Sequence, residues 1–351
     1  MAALNYAKEY GRELAQAYPY ALYFGDLWAA TKPEVKFVNN KTIEIPSLST
    51  TGRVDGDRDS IGTFSRNFDN AWETKTLSNH RTWGTLVHPR DIDETNQVAS
   101  IANITKVFNE EQKFPEMNAY AISRMYELKN GQEAVTSLAK GTLTKDNVLT
   151  YFDTLMDVMD EKGVPSIGRI LYVDTYTKTL IDTAKESARY LSATDEEVKR
   201  RLSRIDEVTI KSVPTKFMKT AYTFFKGNES SGQNNGYAVA KDVYVASTDQ
   251  SVQTGKTYYT KSGDNYTVVS NPTGNPSTSS YYEKTVEGAK NIKMFLVHLS
   301  AVIPAINYEF AQLESPSALS QGKYVYFEES FEDLFIYNKK HDGIQFVVEN
   351  A

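Results

Sequence analysis

Three stretches of this 351-residue chain hold residue types that could bind an ion or a phosphate. Asp55, Asp57 and Asp59 have the spacing of the first three ligands of a calcium loop, whose oxygens converge on a hard cation. Such a loop then needs a glycine where Ser60 stands and a closing glutamate where Arg66 stands, so the expectation is a solvated tip of mixed charge. Gly255-Lys256-Thr257 resembles the end of a phosphate-binding loop. Gln250 occupies the place of that loop's first glycine, and Tyr258-Tyr259-Thr260 reads as a strand where the mechanism needs a helix N-terminus. His80 and His88 lie an even number of residues apart in a strand-like stretch, so they are expected on one face. Asp91 and Asp93 follow, but no third ligand stands at a zinc spacing, and a structural or interface role is the expectation.

Nucleophilic chemistry has no better footing. There is no cysteine, no Gly-x-Ser-x-Gly elbow and no His-Glu-x-x-His helix. Thr194-Asp195-Glu196-Glu197 has the spacing of a helix capping box, which accounts for its carboxylates. Lys199-Arg200-Arg201 with Arg204 reads as a solvated or intersubunit helix face, with an inner phosphate-contacting surface as the alternative. No catalytic, cofactor-binding or metal-ligating residue is therefore assigned, and no cofactor is expected. A carbohydrate-active enzyme using a Tyr-rich module remains a competing reading, since its acids need not be adjacent in sequence.

The net charge of −6 argues against a protein whose main task is gripping nucleic acid, though not against a container for it. No apolar run approaches the roughly 20 residues that cross a bilayer, and the N-terminus lacks a basic-then-apolar signal. A protein used in a cytoplasm, or in a particle assembled there, is expected, with no membrane partner. The 23 Tyr and 16 Phe suit strands and interfaces, or simply a strand-rich protein.

The elements that would position these residues follow from periodicity. Residues 4–30 read as an aromatic, Ala-rich helix and arm. Residues 35–46 alternate as a strand ended by Pro46, and 72–88 are strand-like again; between them 47–71 is polar, so the pair predicts a hairpin with no core of its own. Residues 91–129 predict a long helix: Asp91, Asp93 and Glu94 favour its N-terminus, and Val98, Ile101, Ile104 and Phe108 recur at helical spacing. Pro115 should interrupt or kink it. Helix and strand then alternate over 144–228, with a helix over 144–161, a buried strand at Ile170–Val173, a helix capped by Asp174 or Thr175, and a strand at Val208–Val213. Residues 229–287, rich in Ser, Thr, Asn, Gly and Tyr, predict an all-β insertion. Ile292–Leu299 predicts a buried strand, and further strands are expected near Tyr324–Phe327, Leu334–Tyr337 and Ile344–Val348, with Asp342-Gly343 as a hairpin turn between the last two.

Several segments in this order resemble the major capsid proteins of tailed bacteriophages with the Hong-Kong-97-type fold. Residues 76–97 (TLSNHRTWGTLVHPRDIDETNQ) resemble the end of an extended loop entering a spine helix, with His80-Arg81 where the family often has Asp-Arg. Phe114-Pro115-Glu116-Met117-Asn118-Ala119-Tyr120 resembles a Pro-Glu-x-Asp-Ala-Tyr segment in which Asn118 replaces the acid. Residues 164–184, 204–217, 288–305 and 323–349 resemble, in turn, an axial strand and helix, the next axial segment, a returning strand, and a closing peripheral hairpin. The resemblance implies an α+β fold with an N-terminal arm (1–41), an extended loop hairpin (42–90), a peripheral domain with the spine helix (91–143), an axial domain (144–228), the β insertion (229–287) and a return to the peripheral domain (288–351). It makes Phe24, Trp28, Arg53, Arg58, Arg66 and Trp72 candidate intersubunit contacts. It further implies a shell of pentamers and hexamers in the virion, made in the host cytoplasm. The partners it implies are a separate scaffolding protein, portal and head-completion proteins, and packaged double-stranded DNA bound without sequence specificity. The insertion would face outward, toward host surfaces or neighbouring capsomers, or serve as decoration without function. Another virion component such as a tail-tube protein is the alternative, against which the long helix argues.

Overall fold

A computed structural model describes residues 20–30, 36–39, 41–53, 66–94, 100–189, 204–205, 208–225, 236–253, 256–263, 265–278 and 280–350. The helix expected before residue 20, the Asp55/Asp57/Asp59 tip with Arg58, the capping box at 194–197 and Lys199-Arg200-Arg201 lie outside them. The chain forms two compact units, Met1–Lys113 with Leu299–His341, and Phe114–His298 with Asp342–Ala351.

In the first unit, strands Val302–Glu314, Tyr324–Ile336 and Asn79–Val87 form an antiparallel sheet with Tyr324–Ile336 in the middle. The two strands expected at 324–327 and 334–337 are thus one 13-residue strand. A second sheet pairs Lys36–Asn39, Thr42–Thr50 and Phe68–Thr76. Pro46 does not end its strand. Pro46 pairs with Trp72 on one side, and among the described residues no strand pairs with it on the other, so it sits at a sheet edge, where proline is tolerated.

The expected long helix is broken into pieces: Pro89–Glu94, Ile101–Phe108, a π turn at Asn109–Lys113, and Phe114–Asn130. Ser100 caps the second, its hydroxyl accepting from Asn103 N–H. The interruption expected at Pro115 takes the form of the widened turn just before it. Proline cannot donate to the carbonyl four residues back and its ring crowds that carbonyl, which a π turn relieves.

The second unit is built on a six-stranded mixed sheet, in the order Thr136–Leu138, Ile344–Glu349, Asn291–His298, Arg169–Asp174, Val208–Val213, Arg204–Ile205. Asn291–His298 (NIKMFLVH) lies between two partner strands and is buried at every position but its ends; apart from the ion-paired Lys293 its interior is apolar, as a strand covered on both faces requires. Helix Val148–Glu161 lays Phe152, Leu155 and Met159 into a core with Leu171, Val173, Met294, Leu296 and Val347. Helix Thr175–Arg189 connects the parallel strands Arg169–Asp174 and Val208–Val213. Asp174 is its cap, with Oδ1 accepting from Thr177 N–H at 2.8 Å. The hairpin expected at Asp342-Gly343 does not form. That turn belongs to a 3₁₀ segment, and the strands on either side pair within different sheets. Its dipeptide suits a tight turn but does not choose the partner of the strand that follows.

The insertion is an antiparallel sheet in the order Val243–Ala246, Tyr281–Val286, Tyr258–Ser262, Asn265–Val268. Tyr237–Val239, expected within it, instead pairs with Tyr222–Phe224. On one face Tyr244 and Tyr266 stack at 4.0 Å, with Tyr259 and Tyr282 edge-on to them. On the other, buried Tyr258 donates to Asp249 at 2.7 Å, and Lys256 pairs with Asp249 and Glu283. Lys256-Thr257 leads into a strand, and Lys256 is engaged by carboxylates, not poised for a phosphate. The lobe closes at its root where Asp242 accepts from Gly288 N–H at 2.5 Å. A Cβ at residue 288 would lie 2.8 Å from Asp242 N, so the approach requires glycine.

Two of the lobe's acids titrate low. Tyr258 and Lys256 hold Asp249 below its ordinary range; burial pushes Asp242 up, but Lys284, Gly288 N–H and Tyr244 outweigh it and leave it low as well. A carboxylate with a depressed folded pKa stabilises above its unfolded value, about 3.9, and loses that contribution as pH falls further. Near-ultraviolet circular dichroism of the tyrosine cluster should therefore hold to about pH 4 and fade below it, with a smaller acid-dependent change in Asp249→Asn.

Candidate intersubunit surface

The hairpin strands Thr42–Thr50 and Phe68–Thr76 pair without a bulge, from Thr42↔Thr76 to Thr50↔Phe68, and Thr51 N–H donates to Asn67 O at 3.0 Å. Successive side chains on a strand alternate faces, and directly opposed residues share one. Ile43 and Ile45 therefore lie on one face, while Pro46 and Leu48, with their opposite numbers Trp72 and Asn70, lie on the other, as does Phe68 opposite Thr50. Each face has its own apolar set, and the two are treated differently.

The first set anchors the root. Ile43 and Ile45 are buried in a cluster with Leu77, Ile303, Ala305, Phe331 and Phe335. The chain then turns through Ser78, whose N–H and hydroxyl both donate to Asp333 Oδ2, at 2.9 and 3.0 Å. Asp333 is fully buried, and its Oδ1 accepts from Leu334 N–H at 2.8 Å, so both carboxylate oxygens are satisfied. Lys75 reaches Asn338 at 2.7 Å, and Lys339 reaches the Leu48 carbonyl at 2.7 Å. The hairpin expected to lack any core thus has one at its root, supplied by its own chain.

The second set is uncovered. Leu48, Phe68 and Trp72 are 62%, 53% and 49% exposed. Arg66 lies beside Phe68, its Nε donating to the Phe68 carbonyl at 3.2 Å and its guanidinium 4.7 Å from the Phe68 ring. Arg53 is exposed on the opposing segment. Arg53, Arg66 and Trp72 are all on this hairpin, Trp72 opposite Pro46 and the two arginines beyond the pair Thr50 and Phe68; Arg58 lies outside the described residues. Phe24 and Trp28 are elsewhere: they flank and fill a short helix, Gly25–Trp28, which lies against the Val302–Glu314 strand, and both are buried within the chain itself.

The two histidines separate. His80 Nε2 lies 2.6 Å from Glu329 Oε1, with its ring stacked on Phe331 at 4.1 Å. His88 follows the end of its strand, so strand alternation does not reach it, and its Nδ1 accepts from Arg90 N–H. Trp83 stacks on Phe108 at 3.8 Å and ties the Asn79–Val87 strand to the helix. A second exposed apolar set, Leu86, Phe310, Leu313 and Phe327, lies on the long sheet. Sequence reading missed it, although Phe310-Ala311-Gln312-Leu313 beside Glu309 and Glu314 is a signal of a half-exposed strand.

These parts define the class. A hairpin runs into a segmented spine helix, a separate unit is built on a central mixed sheet, and the chain returns as a long ribbon: this is the α+β Hong-Kong-97-type fold of tailed-phage capsid shells. The chain matches a capsid chain of cyanophage P-SCSP1u at 9% identity with a TM-score of 0.61, covering 98% of this chain and 93% of that one. It matches the mature capsid of bacteriophage PhiM1 at 10% identity and a TM-score of 0.58, covering 98% and 92%. Against the capsid of Staphylococcus phage Andhra the values are 10%, 0.51, 98% and 88%. No protein-family profile and no curated protein matches the sequence.

Two outcomes test this division of labour. Asp333→Ala leaves the Ser78 N–H and hydroxyl without their acceptor, and should cost about 1–3 kcal/mol in urea unfolding of the unassembled subunit. Leu48→Ser with Trp72→Ser alters only exposed positions and should change that stability by no more than about 0.5 kcal/mol each, while sharply reducing the yield of assembled particles in sedimentation.

Proposed function

We propose that this chain is the major capsid protein of a tailed phage, assembling as pentamers and hexamers into the icosahedral shell around a double-stranded DNA genome. The observation that carries the reading is the coverage of the structural match. It takes in nearly the whole chain and nearly the whole of each capsid chain. The distal hairpin supports it, because its outer apolar face has the character of a surface that a second copy covers. Arg53, Arg66 and Trp72 are its intersubunit contacts in this reading. The role is structural and not enzymatic. The negative net charge suits a shell into which DNA is driven by a motor, without sequence-specific binding. A separate scaffolding protein, a portal and head-completion proteins are the further partners, and the finished protein resides in the virion after synthesis in the host cytoplasm.

Expression with and without candidate scaffolds, followed by negative-stain imaging, tests the proposal. Closed shells or hexamer-sized rings are expected. Narrow open tubes would instead favour a tail-tube role, and a monomer that never assembles under any salt or scaffold condition would overturn the reading.

A further inference from the structure

The tyrosines of the β lobe gather on one face. Tyr282 is directly opposite both Ala246 and Tyr259, Tyr244 is opposite Lys284, and Tyr266 is opposite Lys261. Opposed residues share a face, and a strand returns to that face at every second residue. Tyr244, Tyr259, Tyr266 and Tyr282 therefore stand together, with Lys261 and Lys284 among them. Tyr244 and Tyr266 come from the two edge strands of the sheet, yet their rings stack at 4.0 Å. The sheet is thus curled, and its edges meet over its middle strands. There Tyr259 lies 4.9 Å from Tyr244, and Tyr282 lies 5.2 Å from Tyr266, both edge-on. All four tyrosines stay half-buried, so the cluster keeps a surface toward solvent.

The chemistry of this surface narrows what can bind it. Tyr244 donates to Asp242 at 3.2 Å, but no hydrogen bond from the described residues reaches the hydroxyls of Tyr259, Tyr266 and Tyr282. Each of these can both donate and accept. No carboxylate of the four strands stands on this face; Glu283 is opposite Tyr258 on the other. Lys284 is held by Asp242 at 2.7 Å, and Lys261 is exposed with Nζ 5.7 Å from the Tyr266 ring centroid. Over residues 236–290 five lysines are matched by five carboxylates and there is no arginine, so the lobe has no net charge. Nucleic acid is held mainly through neutralised phosphates, for which a neutral lobe is poorly suited. A protein interface draws its energy from a desolvated apolar centre, whereas these rings already cover one another and leave hydroxyls to be bonded. A neutral polyhydroxylated chain fits both properties. Its hydroxyls pair with the phenols, and its C–H faces lie on rigid rings that lose little freedom on binding.

We propose that the tyrosine face of the β lobe is a binding site for a neutral polysaccharide. The opposite face holds it in shape: Tyr258 donates to Asp249, and Lys256 joins Asp249 to Glu283, so the strands that carry the tyrosines are fixed from behind. A site organised before its ligand arrives spends less of the interaction on ordering itself. Binding needs only the folded lobe, so it does not require assembly.

Saturation-transfer NMR on the unassembled full-length chain is the test. The probes are hexasaccharides of glucose, mannose, galactose and N-acetylglucosamine, with oligo-dT as the polyanion. At least one neutral probe should bind, and oligo-dT should not. Tyr259→Phe, Tyr266→Phe and Tyr282→Phe together keep the rings and remove the three hydroxyls. Affinity should then fall roughly tenfold or more, with far-ultraviolet circular dichroism and the thermal midpoint confirming the fold. Thr267→Ala, at an exposed position on the opposite face, should leave affinity unchanged. Failure of every neutral probe to bind, or tighter binding of oligo-dT, overturns the proposal. So does an affinity that survives the triple substitution. Self-association that the triple substitution abolishes, without any glycan binding, would assign the face to a second copy of the chain instead.

Discussion

The constraint on which the first unit depends is the two-sidedness of its hairpin. A strand pair with apolar residues on both faces gains by burying both, and the described residues of this chain cover one of them. Ile43 and Ile45 lie on the covered face, and Asp333 locks the exit of the hairpin through Ser78. Leu48, Phe68 and Trp72 then face outward because they stand at the other parity of the same strands. A one-residue slip would exchange the two sets, and the unbroken register together with the buried carboxylate prevents it. The exposed face is thus a consequence of how the root is held.

The second unit meets the opposite requirement. Its central strand has no polar face, so it must lie inside a sheet covered on both sides. The charged groups that this sheet admits are matched in sets: Asp174 with Lys293 and the helix cap, Glu349 with Lys293 and Gly141 N–H, and Arg169 with Asp160 and the carbonyls of Val164 and Pro165. Burying such groups is tolerable only when each is bonded. The same sheet carries Asn291 at the point where the lobe rejoins it, so the lobe's attachment is set by the register of the core.

Much of this was legible locally. Asp174 before an amphipathic stretch signals a cap, NIKMFLVH signals a buried strand, and the Tyr-rich turns signal the β lobe. What was not legible depended on distant partners. The 13-residue strand reads as two because Glu328, Glu329, Glu332 and Asp333 interrupt its apolar pattern, and the group that satisfies Asp333 is 255 residues away. Pro46 reads as a strand end because sequence does not reveal that, among the described residues, no strand pairs with it on the side away from Trp72. Phe24 and Trp28 are as apolar as Trp72, and only the folded chain separates aromatic residues that it covers from those that it leaves outside.

That separation provides the most direct measurement. Oxidative footprinting of Trp72 and Trp28, before and after assembly, compares a residue assigned to the interface with one buried in the subunit. Trp72 should be readily oxidised in the unassembled chain and protected in the particle, while Trp28 should be protected in both. Equal oxidation of Trp72 in the two states would contradict the assignment of the outer hairpin face to a neighbouring subunit.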